Sequence, residues 1–227
     1  MPHRVAELLG IVLLLSPWPT PAAELDTVLG RIDKAGATFR SLSAQLKRVS
    51  HTAVINEDNT DSGSMLLKRP YSRDMRMLVE FSQPDPKTIA FQGRKLEIYF
   101  PKMQTVQEFD VGKYRALLDE FLLIGFGTSK ADLQASYQIN LAGSESVGGQ
   151  NCALLQLIPK SKDVLQHLTR LEIWVGENGY PLQQKFYQPG GDYMLCTYSD
   201  MKINPDLQDS ALKLHLPKNV KREYPQK

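Results

Sequence analysis

Apolar and polar residues alternate along most of this chain, and in two stretches they repeat every three or four positions instead. The alternation is clearest across residues 63–110. In residues 73–81, Met75, Met77, Val79 and Phe81 fall on one face. Asp74, Arg76, Leu78 and Glu80 fall on the other, the pattern of a half-buried strand. Gln83-Pro84-Asp85-Pro86 ends that run, because two prolines deny hydrogen bonds to a ladder. Residues 88–92 and 95–100 predict a hairpin about Gly93-Arg94, and 105–110 predict another strand. Upstream, the stretch SAQLKRVSHTAVI predicts a first long strand. The polar run NEDNTDS (56–62) predicts a loop, and 63–68 the strand that returns from it. Downstream, the pattern resumes at 137–141, 146–147, 152–158, 169–175, 182–187 and 193–203. Asn178-Gly179 there signals a two-residue hairpin.

The three-to-four repeat begins the mature sequence. Leu25, Val28, Leu29, Ile32, Ala35 and Phe39 recur at helical spacing and predict a helix over residues 24–41. A second apolar stripe, Tyr114, Leu117, Leu118, Phe121 and Leu122, predicts a helix over 113–123 that Gly125-Phe126-Gly127 stops. Thr128 or Ser129 is placed to cap a short helix at KADLQASY. The sum is ten or eleven strands, one long leading helix and short helical insertions, with no linker that divides the chain. That predicts a mainly β domain with α, a single curved antiparallel sheet with helices across its open side.

The first 23 residues change the domain picture. Arg4 precedes a short apolar core, and small residues follow at Thr20, Ala22 and Ala23, as in a cleaved secretory signal peptide. The expected organisation is a leader at 1–23, one domain at 24–217 and a flexible basic tail at 218–227, with the mature protein exported and soluble. Two cysteines, Cys152 and Cys196, lie in the exported part. Each sits in a strand-like run and fits a buried apolar position as well as a disulfide.

Charge and motifs exclude more than they suggest. A net charge of +2 gives no field for nucleic acid. The four histidines have no metal-ligand spacing, so no metal or cofactor is expected. Neither a nucleophile elbow, nor HExxH, nor a P-loop is present, so an enzyme is not expected. What remains is apolar surface. Met65, Met75, Met77 and Met103 accumulate in one part of the chain, and methionine suits a surface that packs against variable partners. The face of Met75, Met77, Val79 and Phe81, opposed by the stripe of Tyr114, Leu117, Leu118, Phe121 and Leu122, reads either as the wall of a lipid cavity or as an ordinary sheet core.

Gly63-x4-Lys68-Arg69-Pro70, the turn Gln83-Pro84-Asp85 and the run LEIYFP resemble the LolA family of periplasmic lipoprotein carriers. The resemblance extends over the mature chain to about Pro217. It implies an incomplete, unclosed β-barrel with helices as a lid over an apolar cavity for the acyl chains of lipoproteins. It implies a periplasmic carrier, a monomer, that takes lipoproteins from an inner-membrane ABC transporter to an outer-membrane acceptor. The family's lid-closing arginine falls on Arg69, and an apolar position important for transfer falls on Met77. The alternative is a lipid-binding sensor or scaffold of the same fold, acting in envelope signalling or other lipid transport.

Overall fold

The structure is a computed structural model that describes residues 21–71, 74–114 and 124–226. Among these residues a single sheet has twelve strands: β1 (Ser41–Thr52), β2 (Glu57–Tyr71), β3 (Asp74–Gln83), β4 (Lys87–Gln92), β5 (Lys95–Phe100), β6 (Thr105–Asp110), β7 (Tyr137–Val147), β8 (Gln150–Pro159), β9 (Arg170–Val175), β10 (Pro181–Tyr187), β11 (Tyr193–Ile203) and β12 (Lys221–Glu223). Their order is β12-β6-β5-β4-β3-β2-β1-β11-β10-β9-β8-β7. Every neighbouring pair is antiparallel except β12 with β6. The two ends of the sheet do not pair, so the barrel is unclosed, as the sequence pattern and the resemblance predict.

Helix α1 (Pro21–Thr38) lies on the concave side and buries the stripe of Val28, Leu29, Ile32 and Ala35. It packs against β7 and the short helix α2 (Lys130–Ser136). Ser129 caps α2, its hydroxyl accepting from the Asp132 amide. A one-turn helix α3 (Lys162–Leu165) follows β8. α1 stops three residues earlier than its apolar repeat predicts. The chain turns there because the Phe39 amide bonds back to the Gly36 carbonyl, and Phe39, 1% exposed, points into the core.

Four expectations are corrected. The acidic stretch at 56–62 is not a loop: β2 starts at Glu57 and pairs with β1 to its end. Cross-strand pairs hold that stretch extended, an ion pair of Asp61 with Arg48 and a hydrogen bond of Asp58 with His51 at 2.7 Å, so side-chain pairing across the ladder outweighs its loop-like composition. At Asn178-Gly179 only Gly179 takes a positive φ, and the loop is closed by the Gly176 amide on the Tyr180 carbonyl. Residues 137–147 form one strand with a bulge near Leu141 rather than two strands. The tail expected to be flexible adds β12 to the sheet edge, where Arg222 bonds Glu97 and Glu108 at 3.0 Å each.

The C-terminal segment also covers the convex side of β3. Leu212 is wholly buried against Leu78 and Ala90. Lys68 and Arg76 both grip Asp209, and the Gln92 amide donates to the Leu212 carbonyl. Leu78, on the polar face of its strand by pattern, is therefore buried by a strap from more than a hundred residues away.

Candidate functional site

The concave side of the sheet carries two apolar clusters. One lies under α1 and α2, where Leu155, Leu157, Leu171 and Ile173 are wholly buried. The other lies over β1–β4 and β11, with Leu96 of β5 and Phe109 of β6 packed against it. It encloses a cavity of about 380 Å³, within the usual size range of small-ligand sites. Met65, Met77, Val79 and Phe81 form one wall, Phe186 and Met194 the opposite wall, and Phe126 and Leu168 the cover. Of the expected wall residues, Met77, Val79 and Phe81 border the cavity. Met75 is wholly buried in the same cluster and does not border it. Leu117, Leu118, Phe121 and Leu122 lie outside the described residues. For Tyr114 only the backbone is described, in a short 3-10 turn at Gly112–Tyr114.

Local sequence explains why this face stays open. β1 pairs with β2 from Ser41 to Thr52 without a break, but at Gly63 the ladder of β2 with β3 slips by one residue. A Cβ at Gly63 would lie 1.9 Å from the Glu80 carbonyl oxygen, so only glycine permits the approach. The wall itself is rich in methionine. Met65 and Met75 are buried in this cluster, with Met77, Met194 and Met201 packed against it. The cluster under α1 has no methionine among its described members. Unbranched thioether side chains leave irregular space that branched aliphatic side chains fill.

The cover is tied down at three points. Arg69 on β2 donates through Nη1 to the Gly127 carbonyl (2.8 Å) and through Nη2 to the carbonyls of Gly36 and Phe39 (3.1 Å each). One guanidinium thus joins the end of α1 to the loop that carries Phe126. On the opposite wall Gln184, 3% exposed, donates to the Ile124 carbonyl at 2.9 Å and accepts from the Tyr198 hydroxyl at 2.7 Å. The Tyr180 hydroxyl donates to the Ala35 carbonyl at 3.0 Å. Phe39, Phe126, Tyr180 and Tyr198 pack as an aromatic group beneath these bonds, with ring centroids 5.2–6.5 Å apart. Sequence reasoning missed Gln184 and Tyr198. The one signal was a pair of glutamines inside an apolar strand, since a buried amide must find partners.

Polar groups at the cavity are few. Arg48, His167, Gln184 and Gln188 border it, and no carboxylate does among the described residues. His167, one of the four histidines without metal-ligand spacing, is one of the bordering groups. Cys196 also borders it, and burial pushes its thiol up to about 11. Burial, with Cys196 beside it, also raises the Tyr198 phenol well above its usual range. Cys152 lies on the convex side with Trp174. Both cysteines are free, so the apolar reading of each is the one the structure shows. Among the described residues no group of His, Cys, Asp and Glu is placed to hold a metal, and no helix is long and apolar enough to cross a membrane.

A family model described as outer membrane lipoprotein carrier protein LolA matches residues 37–215. No curated protein matches the chain. Among solved structures, MucB is similar at 13% identity with a TM-score of 0.53, over 88% of this chain and 66% of that one. An uncharacterized conserved protein of Thermus thermophilus is similar at 14% identity and TM-score 0.53, over 88% of this chain and 99% of that one. A LolA-superfamily protein of Nitrosomonas europaea matches at 16% identity and TM-score 0.40, over 83% and 97%.

Proposed function

The chain belongs to the LolA family of outer-membrane lipoprotein carriers, and from that premise we propose that it shields the acyl chains of lipoproteins in its cavity and shuttles them from the inner to the outer membrane. The observation that carries this reading is the apolar cavity beneath a cover that Arg69 ties down through backbone carbonyls alone. The site of action is the periplasm, reached through the leader at residues 1–23. The partners are an inner-membrane ABC transporter as donor and an outer-membrane acceptor.

The energetics suit a carrier. Each buried CH₂ is worth about 0.8 kcal/mol, so acyl chains do not cross water unshielded. Release requires that the closed form compete with the loaded one. Hydrogen bonds from a charged donor contribute roughly 1.5–3 kcal/mol each. Three of them, made only when the cover is down, oppose lipid entry without forbidding it. Met77, at the middle of the wall, is the side chain an incoming acyl chain would displace.

The test is a titration of the purified mature protein with a triacylated lipopeptide carrying a fluorophore. Saturable binding at micromolar concentration, with release altered in Arg69→Leu, is the expected result. Absence of binding to any acylated probe would overturn the reading. A strain lacking the protein that sorts lipoproteins normally but loses an envelope stress response would instead favour the lipid-binding sensor.

A further inference from the structure

The cavity has a charged end. Arg48 on β1 and Lys87 on β4 both face inward there and both bond Asp61 on β2, Lys87 at 2.9 Å. Both also stand over the ring of Phe81, at 4.4 Å for the Arg48 guanidinium carbon and 5.2 Å for the Lys87 ammonium. The other acid close by, Asp85, is held by Lys102. Three bases thus face two acids, and one positive charge is in excess. Arg48 engages Asp61 through Nε and Nη2. Its Nη1 has no acceptor among the described residues. The side chains of Arg48 and Lys87 are 21% and 23% exposed, so water reaches this end. Arg69 and the cover lie toward the other end of the strands.

Resting on the carrier reading above, we infer that this end of the cavity binds the anionic head group of an amphiphile whose acyl chain lies along β3. The path is laid out by Phe81, Val79 and Met77, which run from beneath the two cations into the apolar interior. Four residues of strand span about 14 Å, a length suited to an extended acyl segment. A cation beside an apolar cavity is strengthened by the low local dielectric. No carboxylate borders the cavity itself among the described residues, and the joint charge of Arg48 and Lys87 outweighs the repulsion from the single carboxylate, Asp61, that both already engage. Asp61 holds the two cations in place when the site is empty and leaves donors of both for an incoming anion. A carboxylate and a phosphate monoester share this chemistry, so a fatty acid and a phosphatidic acid are both candidates.

Affinities of hexadecanoic acid, hexadecanol and a phosphatidic acid, measured at low salt by displacement of an uncharged fluorescent acyl probe, test the inference. The acid should bind about tenfold tighter than the alcohol of equal chain length. The ratio should shrink in Lys87→Gln and in 1 M salt, and invert in Lys87→Glu. Preference for the phosphatidic acid but not the fatty acid would identify a phospholipid as the source of the head group. Equal affinities of both anions and the alcohol in the wild-type protein would overturn the inference and leave the carrier reading intact. Binding of none of the three, nor of a triacylated lipopeptide, would overturn both.

Discussion

The concave face of this sheet has a packed half and a hollow half built from one continuous ladder. Over β7–β9, helices α1 and α2 lie directly on Leu155, Leu157, Leu171 and Ile173, each 0% exposed. Over β1–β4 the described cover is the short loop of Phe126 with Leu168 beside it, and a cavity of about 380 Å³ remains beneath them. Branched aliphatic residues fill the first half, and methionines crowd the second. The same alternating pattern thus makes a core or a container, depending on what covers it and how soft its side chains are. With space left beneath its cover, the hollow half should be the easier of the two to open.

Leu155→Ala separates the halves most strongly. In a filled core it should lose about 2–5 kcal/mol, read by urea unfolding. Met77→Ala, at a wall that already faces empty space, should lose less than half as much. Equal losses would mean that the second half is packed like the first. Arg69→Leu comes next. It removes three bonds to carbonyls that water reaches once the cover lifts, so the net loss should be about 1–3 kcal/mol, well below the sum of the three bonds. The telling readout is hydrogen exchange, which should quicken around Gly36–Phe39 and Ile124–Gly127 and not in β8 or β9. Exchange that quickens everywhere would make Arg69 a general stabiliser rather than a tie on the cover.

The smallest effect concerns Asp61. Burial alone would raise its carboxyl, but hydrogen bonds from Lys87 and Arg48 and their charges outweigh that and hold it below the usual range. A depressed carboxylate contributes stability above its unfolded pKa of about 3.9. That contribution disappears as pH falls through the lower folded value. Thermal melts of Asp61→Asn and wild type should therefore differ at pH 7 and converge below about pH 4. A difference that does not narrow as pH falls from about 4 toward about 2 would mean that packing, not charge, makes Asp61 matter.

Much of the sheet was legible because period-two alternation is a local signal. Residues 73–81, the Gly93-Arg94 hairpin and the Ser129 cap all follow from neighbours within a few positions. The acidic start of β2 was not legible, because its extended form depends on Arg48 and His51 across the ladder. β12 and the strap that buries Leu78 were hidden for the same reason, since their partners lie more than a hundred residues away. The alternation of Met75, Met77, Val79 and Phe81 does not distinguish a cavity wall from a core. The gathering of methionines was the available clue. Arg69 stood out only through the Lys-Arg-Pro resemblance, and nothing local names the carbonyls it meets.

The two cysteines allow the central claim to be tested within one molecule. Cys196 borders the cavity, and Cys152 is buried on the convex face, away from it. Alkylation of both can be followed by mass spectrometry while a triacylated lipopeptide is titrated in. If the hollow half is the acyl site, saturating ligand slows modification of Cys196 and leaves that of Cys152 unchanged. Bound ligand with Cys196 still reacting at its unliganded rate would place the acyl chains elsewhere and contradict the account.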